Sequence, residues 1–214
     1  MKLVFAICLL FSGIPVFAQN VETHMVEPAG VYKEINMAND TRVCQLLADS
    51  TYVGRSKLAD SVMRNANSYT PPVLYFLSNT LFSMKKYEDA EYWFYIAQLR
   101  ARYDVNRCAD KTANAANYNQ TFGPQINTYA IKVENIDTLT QIIKRAVEFV
   151  KGNDEHYDQR WINLSGLAAI SAGIDGKTKG EQLSKNPKDW PAIKAATIKD
   201  YYDGFLEFLK SRKK

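Results

Sequence analysis

Residues 69–107 read YTPPVLYFLSNTLFSMKKYEDAEYWFYIAQLRARYDVNR, and the rest of the chain is arranged around them. Proline suits the first turn of a helix and keeps the residue before it extended, so Tyr69-Thr70-Pro71-Pro72 marks the start of a helix. Val73, Leu74, Leu77 and Leu81 then recur at spacings of one to four, and Phe76 and Phe82 widen the apolar side. After Lys85-Lys86 a second helical pattern follows, Tyr87, Ala90, Phe94 and Ala97, with Trp93, Tyr95, Ile96 and Leu99 on further faces. At about 100° per residue, Tyr92, Trp93, Phe94 and Tyr95 cannot face one way, so this second helix requires neighbours on several sides.

These residues resemble a tetratricopeptide-repeat hairpin. Leu74, Leu77, Ser78 and Leu81 match the packing positions of its first helix, and Lys86-Tyr87-Glu88-Asp89-Ala90, Phe94 and Ala97 those of its second. The resemblance covers about one repeat, roughly residues 71–104, and departs at Ser78, where glycine is usual, and at Arg102, where a closing proline is usual. No second copy of Tyr-x-x-Ala-x-x-x-Phe-x-x-Ala follows at about 34 residues, so it implies a helical hairpin rather than a long concave array.

Working outward, Asn39 or Asp40 is a good N-cap for a short helix carrying Val43, Cys44, Leu46 and Leu47, and Leu58, Val62 and Met63 after Gly54 predict another. Residues 19–38, broken by Pro28 and Gly30, read as an irregular arm that turns helical near Val31 to Met37. Beyond the hairpin, Ala113, Ala116 and Tyr118 predict a short helix closed by Phe122-Gly123-Pro124, with another turn or two at Ile126, Tyr129 and Ala130. Ile136, Leu139, Ile142, Ile143, Ala146, Val147, Phe149 and Val150 form an amphipathic helix that Gly152-Asn153 stops. Trp161, Ile162, Leu164, Leu167, Ala168 and Ile170 predict one more buried helix, ending near Gly173. Residues 173–188 read as an exposed loop, after which Asp189 caps and Pro191 begins a last helix with Ile198, Tyr201, Tyr202, Phe205, Phe208 and Leu209 on its buried side. No Asn-Gly or Asp-Gly turn joins two alternating runs, so the expected fold is all-α, a compact multi-helix domain over 39–214 with the hairpin at its centre.

The 214 residues are 46% hydrophobic and 23% charged, which suits one globular domain and excludes collagenous or disordered classes. A net charge of +4, dispersed along the chain, gives no nucleic-acid footprint, and no nucleic-acid partner is expected. Lys2, the apolar run Leu3 to Phe11, Gly13, Pro15 and the small end Val16-Phe17-Ala18 read as a cleaved secretory leader over 1–18, which implies a periplasmic or extracellular protein. No other stretch nears the roughly 20 apolar residues of a membrane span. Cys44 and Cys108 remain in the mature chain. An oxidising compartment makes them an expected disulfide, with two buried free thiols as the alternative. Two isolated cysteines and the distant His24 and His156 show no metal-ligand spacing, so no metal is expected.

Chemistry-bearing motifs are sparse. Gly176-Lys177-Thr178 lacks both the upstream glycine and the preceding strand of a phosphate loop. No Gly-x-Ser-x-Gly elbow or evident triad is present, and no catalytic residue or cofactor is assigned. His156 lies among Asp154, Glu155, Asp158, Arg160 and Trp161, a cluster that suits either acid/base work or the capping of a helix at Trp161. Arg100, Arg102, Tyr103, Asp104 and Arg107 suit recognition of a partner or pairing within their own helix. The candidate partner-binding residues are Arg100, Arg102, Tyr103, Asp154, His156, Asp158 and Arg160. Asn39, Asn119 and Asn163 match glycan acceptors. The leading expectation is therefore an exported helical binding protein with a protein partner in the cell envelope, and the rival is a cell-wall or carbohydrate-active hydrolase using a carboxylate pair. In size, export and want of motifs the chain is similar to periplasmic immunity proteins. That likeness implies a secreted toxin as the partner.

Overall fold

In the computed structural model, which describes residues 26–132, 136–176 and 182–212, the chain builds eight α-helices. They are α1 (Ala38–Ala48), α2 (Arg55–Arg64), α3 (Pro71–Ser83), α4 (Tyr87–Arg107), α5 (Ala116–Lys132), α6 (Ile136–Gly152), α7 (Leu167–Asp175) and α8 (Trp190–Arg212). Four short 3-10 helices accompany them, and the fold is all-α, with no strand among the described residues beyond an isolated bridge between Cys108 and Ser184. No helix among these residues is long and apolar enough to cross a membrane. The expected leader over 1–18 and the first part of the arm lie outside the described residues.

The hairpin forms as its sequence dictates. Pro71 and Pro72 open α3, and Lys85 ends it in the left-handed region at φ 62. There Lys86 N donates to Leu81 O and Lys85 N to Phe82 O, both at 2.9 Å, the paired bonds that satisfy a helix's last carbonyls. Ser78 is buried in the α3–α4 contact and donates to Ala90 O at 2.7 Å, so a hydroxyl is accommodated there without an unmet polar group. α4 is the hub, touching α3, α5, α6 and α8, as its ring of aromatics requires. One hydrophobic core runs from Val43 on α1 to Leu209 on α8.

Several expectations change. Phe122-Gly123-Pro124 does not close a helix; α5 runs through it with Pro124 inside. Phe122, Ile126 and Ala130, four apart, bury one stripe of α5, with Phe122 against the rings of Tyr75 and Phe76, and this packing outweighs the missing Pro124 N–H.

The buried helix expected from Trp161 to Gly173 is two pieces, a 3-10 helix (Gln159–Ser165) and α7, parted at the extended Gly166. A Cβ on Gly166 would meet Asp110 Oδ2 at 2.1 Å, the carboxylate that accepts from Ala168 N at 3.3 Å to cap α7. The parting turns Leu167 and Ile170 outward, to 61% and 38% exposure, with Ile174 at 74%.

In the described part of the arm a 3-10 helix (Gly30–Glu34), overlapping the stretch expected to turn helical near Val31 to Met37, buries Tyr32 in a satellite core with Ile35, Ala169 and Ala172. Within the expected loop 173–188, residues 177–181 lie outside the described ones. The rest holds the end of α7, a segment along the end of α4 in which Lys185 N donates to Arg107 O at 2.8 Å, and a 3-10 helix (Pro187–Asp189). Asn186 caps that 3-10 helix, accepting from Lys188 N at 3.0 Å, and Asp189 stands directly before the first residue of α8, Trp190. At the other end, α1 begins ahead of Asn39. Asn36 accepts from Ala38 N, and Asp40 accepts instead from Thr70 N at the head of α3, both at 3.0 Å.

Candidate functional site

Arg100, Tyr103, Asp104 and Arg107 stand at i, i+3, i+4 and i+7, one face of the last turns of α4. That face meets the turn after α6, the 3-10 helix at Trp161 and the first turns of α8. It carries the fold's densest buried charge. Asp104 is fully buried and accepts from Trp161 Nε1 at 2.7 Å, Tyr157 Oη at 3.0 Å, and Arg107 Nε and Nη2 at 3.0 and 2.6 Å. Burial pushes its carboxyl up to about 6, although Arg107 and the hydrogen bonds from Trp161 and Tyr157 pull the other way. Burial also draws the Arg107 guanidinium down, but Asp104 more than offsets it, and the pair is ionised at neutral pH. Tyr157, pushed well above its ordinary range by burial and then by the Asp104 charge, keeps its proton and donates it.

Arg100 is also fully buried and ties the site to the far side of α4. Its Nη1 donates to Ala66 O at 2.9 Å and its Nη2 to Asn67 Oδ1 at 2.6 Å, while Nε lies 3.8 Å from Glu155 Oε1. Asn67 in turn accepts from His156 N at 2.7 Å and donates to Asn153 Oδ1 at 3.2 Å. The turn 153–156 is thereby fixed from behind. From α8, Lys194 donates to Asn153 O at 2.8 Å and lies 3.3 Å from Glu155 Oε1 and 3.4 Å from Asp154 Oδ1. Glu155, 4% exposed, is thus held between two cations.

Above this cluster opens a cleft of about 450 Å³, lined chiefly by Tyr103, Arg107, Lys151, Asp154, Trp190 and Lys194. Its volume is in the range of ligand pockets. The Arg107 guanidinium lies between two aromatic faces, 4.2 Å from the Tyr103 ring centre and 4.9 Å from that of Trp190. Such stacking, with two nitrogens on Asp104, holds it in one orientation. No Ser, Thr, Cys or His is among the described residues that line the cleft, whose polar groups are Tyr103, Arg107, Lys151, Asp154, Glu155 and Lys194 with the Trp190 indole.

Of the residues singled out in the sequence, Arg100, Tyr103 and Asp154 converge here. Arg102 faces elsewhere, 5.4 Å from the Tyr201 ring centre on α8. His156 contributes its backbone N–H and leaves its side chain exposed. Asp158 caps the 3-10 helix, accepting from Arg160 N at 2.9 Å and pairing with the Arg160 guanidinium at 2.8 Å, and Arg160 reaches Glu34 of the arm at 3.6 Å. Asp158 thus performs the capping that an acidic residue before a helix favours. Trp190 and Lys194 were missed. Their spacing of four places both on one face of α8, but nothing local to it signals that α4 and α6 bring partners to that face.

The expected disulfide is absent, and both cysteines are free. Cys44 sits on α1 in a groove with Met37, Phe76 and Tyr118, and burial pushes its thiol up to about 12. Cys108, buried after α4, donates to Asn163 Oδ1 at 3.2 Å, and its thiol too is raised by burial. Each completes a different packing site, as a small hydrophobe does. Asn163 is buried and Asn119 accepts from Tyr75 Oη at 2.6 Å, so of the three glycan-acceptor matches only Asn39 is exposed. Among the described residues no group of three or more His, Cys, Asp and Glu is placed to hold a metal ion. No protein-family profile, curated protein or solved structure matches this chain.

Proposed function

We propose that the chain is an exported binding protein that holds or occludes one protein partner in the cell envelope through the α4–α8 cleft, in the manner of an immunity-type inhibitor taking a secreted toxin. The observation that carries this reading is the Tyr103–Arg107–Trp190 stack beside the cleft, braced by a buried network. Trp, Tyr and Arg dominate binding energy where they are rigid and set in a recess. Bracing lowers the entropy lost when a partner docks.

The carboxylate-pair alternative has less support at this cleft. Asp154 and Glu155 are chain neighbours that share the Lys194 ammonium, rather than two carboxylates facing across open space.

The test is capture from envelope and secreted extracts with tagged residues 19–214, beside Trp190→Ala, followed by calorimetry with the purified partner. One stoichiometric partner, bound at least about tenfold more weakly by Trp190→Ala, is the expected outcome, since a central aromatic anchor contributes roughly 2 kcal/mol or more. A partner that both forms bind equally would place the interface elsewhere. Retention of wild-type levels of far-ultraviolet helical signal by the variant separates lost contact from lost fold.

A further inference from the structure

We propose that the cleft receives an acidic side chain of the partner, its carboxylate met by Arg107 and Lys151 and its apolar stem laid against Trp190. The inference rests on the binding reading above and gives the partner's surface a chemistry. Arg107 spends Nε and Nη2 on Asp104 Oδ1, which leaves Nη1 as the guanidinium nitrogen not committed to that carboxylate. Lys151 is exposed at the rim and makes no ion pair among the described residues. Lys194 adds charge but has its donors on Asn153, Asp154 and Glu155.

Three cations and two carboxylates line the cleft, 3 − 2 = +1, and one of those carboxylates, Glu155, is sealed between Arg100 and Lys194. Lys151 is the exposed cation, Arg107 and Lys194 being 5% and 13% exposed and paired with Asp104 and with Glu155, and Asp154, 93% exposed, is the carboxylate that competes at the rim. A guanidinium fixed by its own carboxylate and by two rings needs no ordering before it takes a second acceptor. The aromatic wall beside it suits the methylene stem of Glu or an adjacent apolar residue.

The probe is hydrocinnamate, a carboxylate on an aromatic stem, titrated into residues 19–214 while backbone and indole N–H resonances are followed. Its neutral isostere hydrocinnamamide and inorganic phosphate are the comparison arms. The expected result is saturable, salt-weakened binding that shifts the Trp190 indole N–H and the Lys194 and Ala195 amides, with the acid preferred over the amide by about fivefold or more. Asp154→Asn, which removes the competing rim charge, tightens hydrocinnamate about two- to threefold, and Lys151→Gln weakens it by a similar factor. A merely apolar cleft would respond to neither change. Equal affinity for acid and amide, shifts away from α8, or indifference to both substitutions would overturn the proposal. Phosphate binding more tightly than hydrocinnamate would also overturn it, in favour of a phosphorylated ligand. Capture of a partner that Trp190→Ala abolishes, combined with no preference for acid over amide, would leave the binding reading standing and remove this one alone.

Discussion

Asp104 has no exposed surface, and its oxygens receive Trp161, Tyr157 and Arg107. Truncating it strands three donors, one of them a buried cation, so Asp104→Ala is expected to destabilise by about 3–5 kcal/mol in urea unfolding. The pH dependence has a definite sign. Because the folded carboxyl holds its proton more tightly, at about 6, than the roughly 3.9 of an unfolded chain, its contribution to stability grows as pH falls through 6 and is complete below about 4. Relative to Asp104→Asn, the wild type should therefore gain on the order of 2 kcal/mol between pH 7 and pH 4. Urea midpoints that move in parallel for the two proteins would refute it. The thiols give a second check at this scale. With Cys44 raised to about 12 and Cys108 raised by burial, the chain of residues 19–214 should react slowly with a thiol reagent when native, because the thiolate is the reactive form. It should yield two thiols once unfolded without reductant. A count of none would restore the bridge.

At the scale of elements, α5 holds an avoidable weakness. Pro124 is exposed in the helix interior and cannot donate toward the Gln120 carbonyl. Pro124→Ala restores that bond without touching the buried stripe of Phe122, Ile126 and Ala130, and is expected to stabilise by about 2 kcal/mol, less whatever stiffness proline gave the unfolded chain. A thermal midpoint that falls would show that the ring itself is needed. The same helix marks the limit of what spacing reveals. α3, α4 and α6 were legible because their apolar residues repeat over several turns, and Pro71-Pro72 and Gly152 mark an end of α3 and of α6. Pro124 misleads because a local breaker was overruled by rings of α3, distant in sequence, and Leu167 and Ile170 mislead because Gly166 turns α7 after the apolar count has already been made. The site divides likewise. Arg100, Tyr103 and Asp104 share a readable face of α4, whereas the roles of Glu155, Trp190 and Lys194 exist only once α6 and α8 are packed against it.

For the molecule as a whole, α8 closes the structure. Tyr201 and Leu209 are buried and Ile198 and Phe205 partly so against the α4-centred core. At about 2 kcal/mol for each large side chain, their loss approaches the entire 5–15 kcal/mol by which a domain is ordinarily stable. A chain ending at Lys185 should therefore lose its cooperative thermal transition, whereas a sharp melt near the wild-type midpoint would show that α1–α7 suffice.

The cleft is assembled from segments far apart in the sequence, Asn67 bracing the turn 153–156 from one side and Trp190 and Lys194 closing it from the other. A chain emerging from the ribosome amino end first thus cannot form the proposed binding cleft until α8 has followed. A partner of the proposed cleft would in this way distinguish copies that carry a docked α8 from copies that stop short of it.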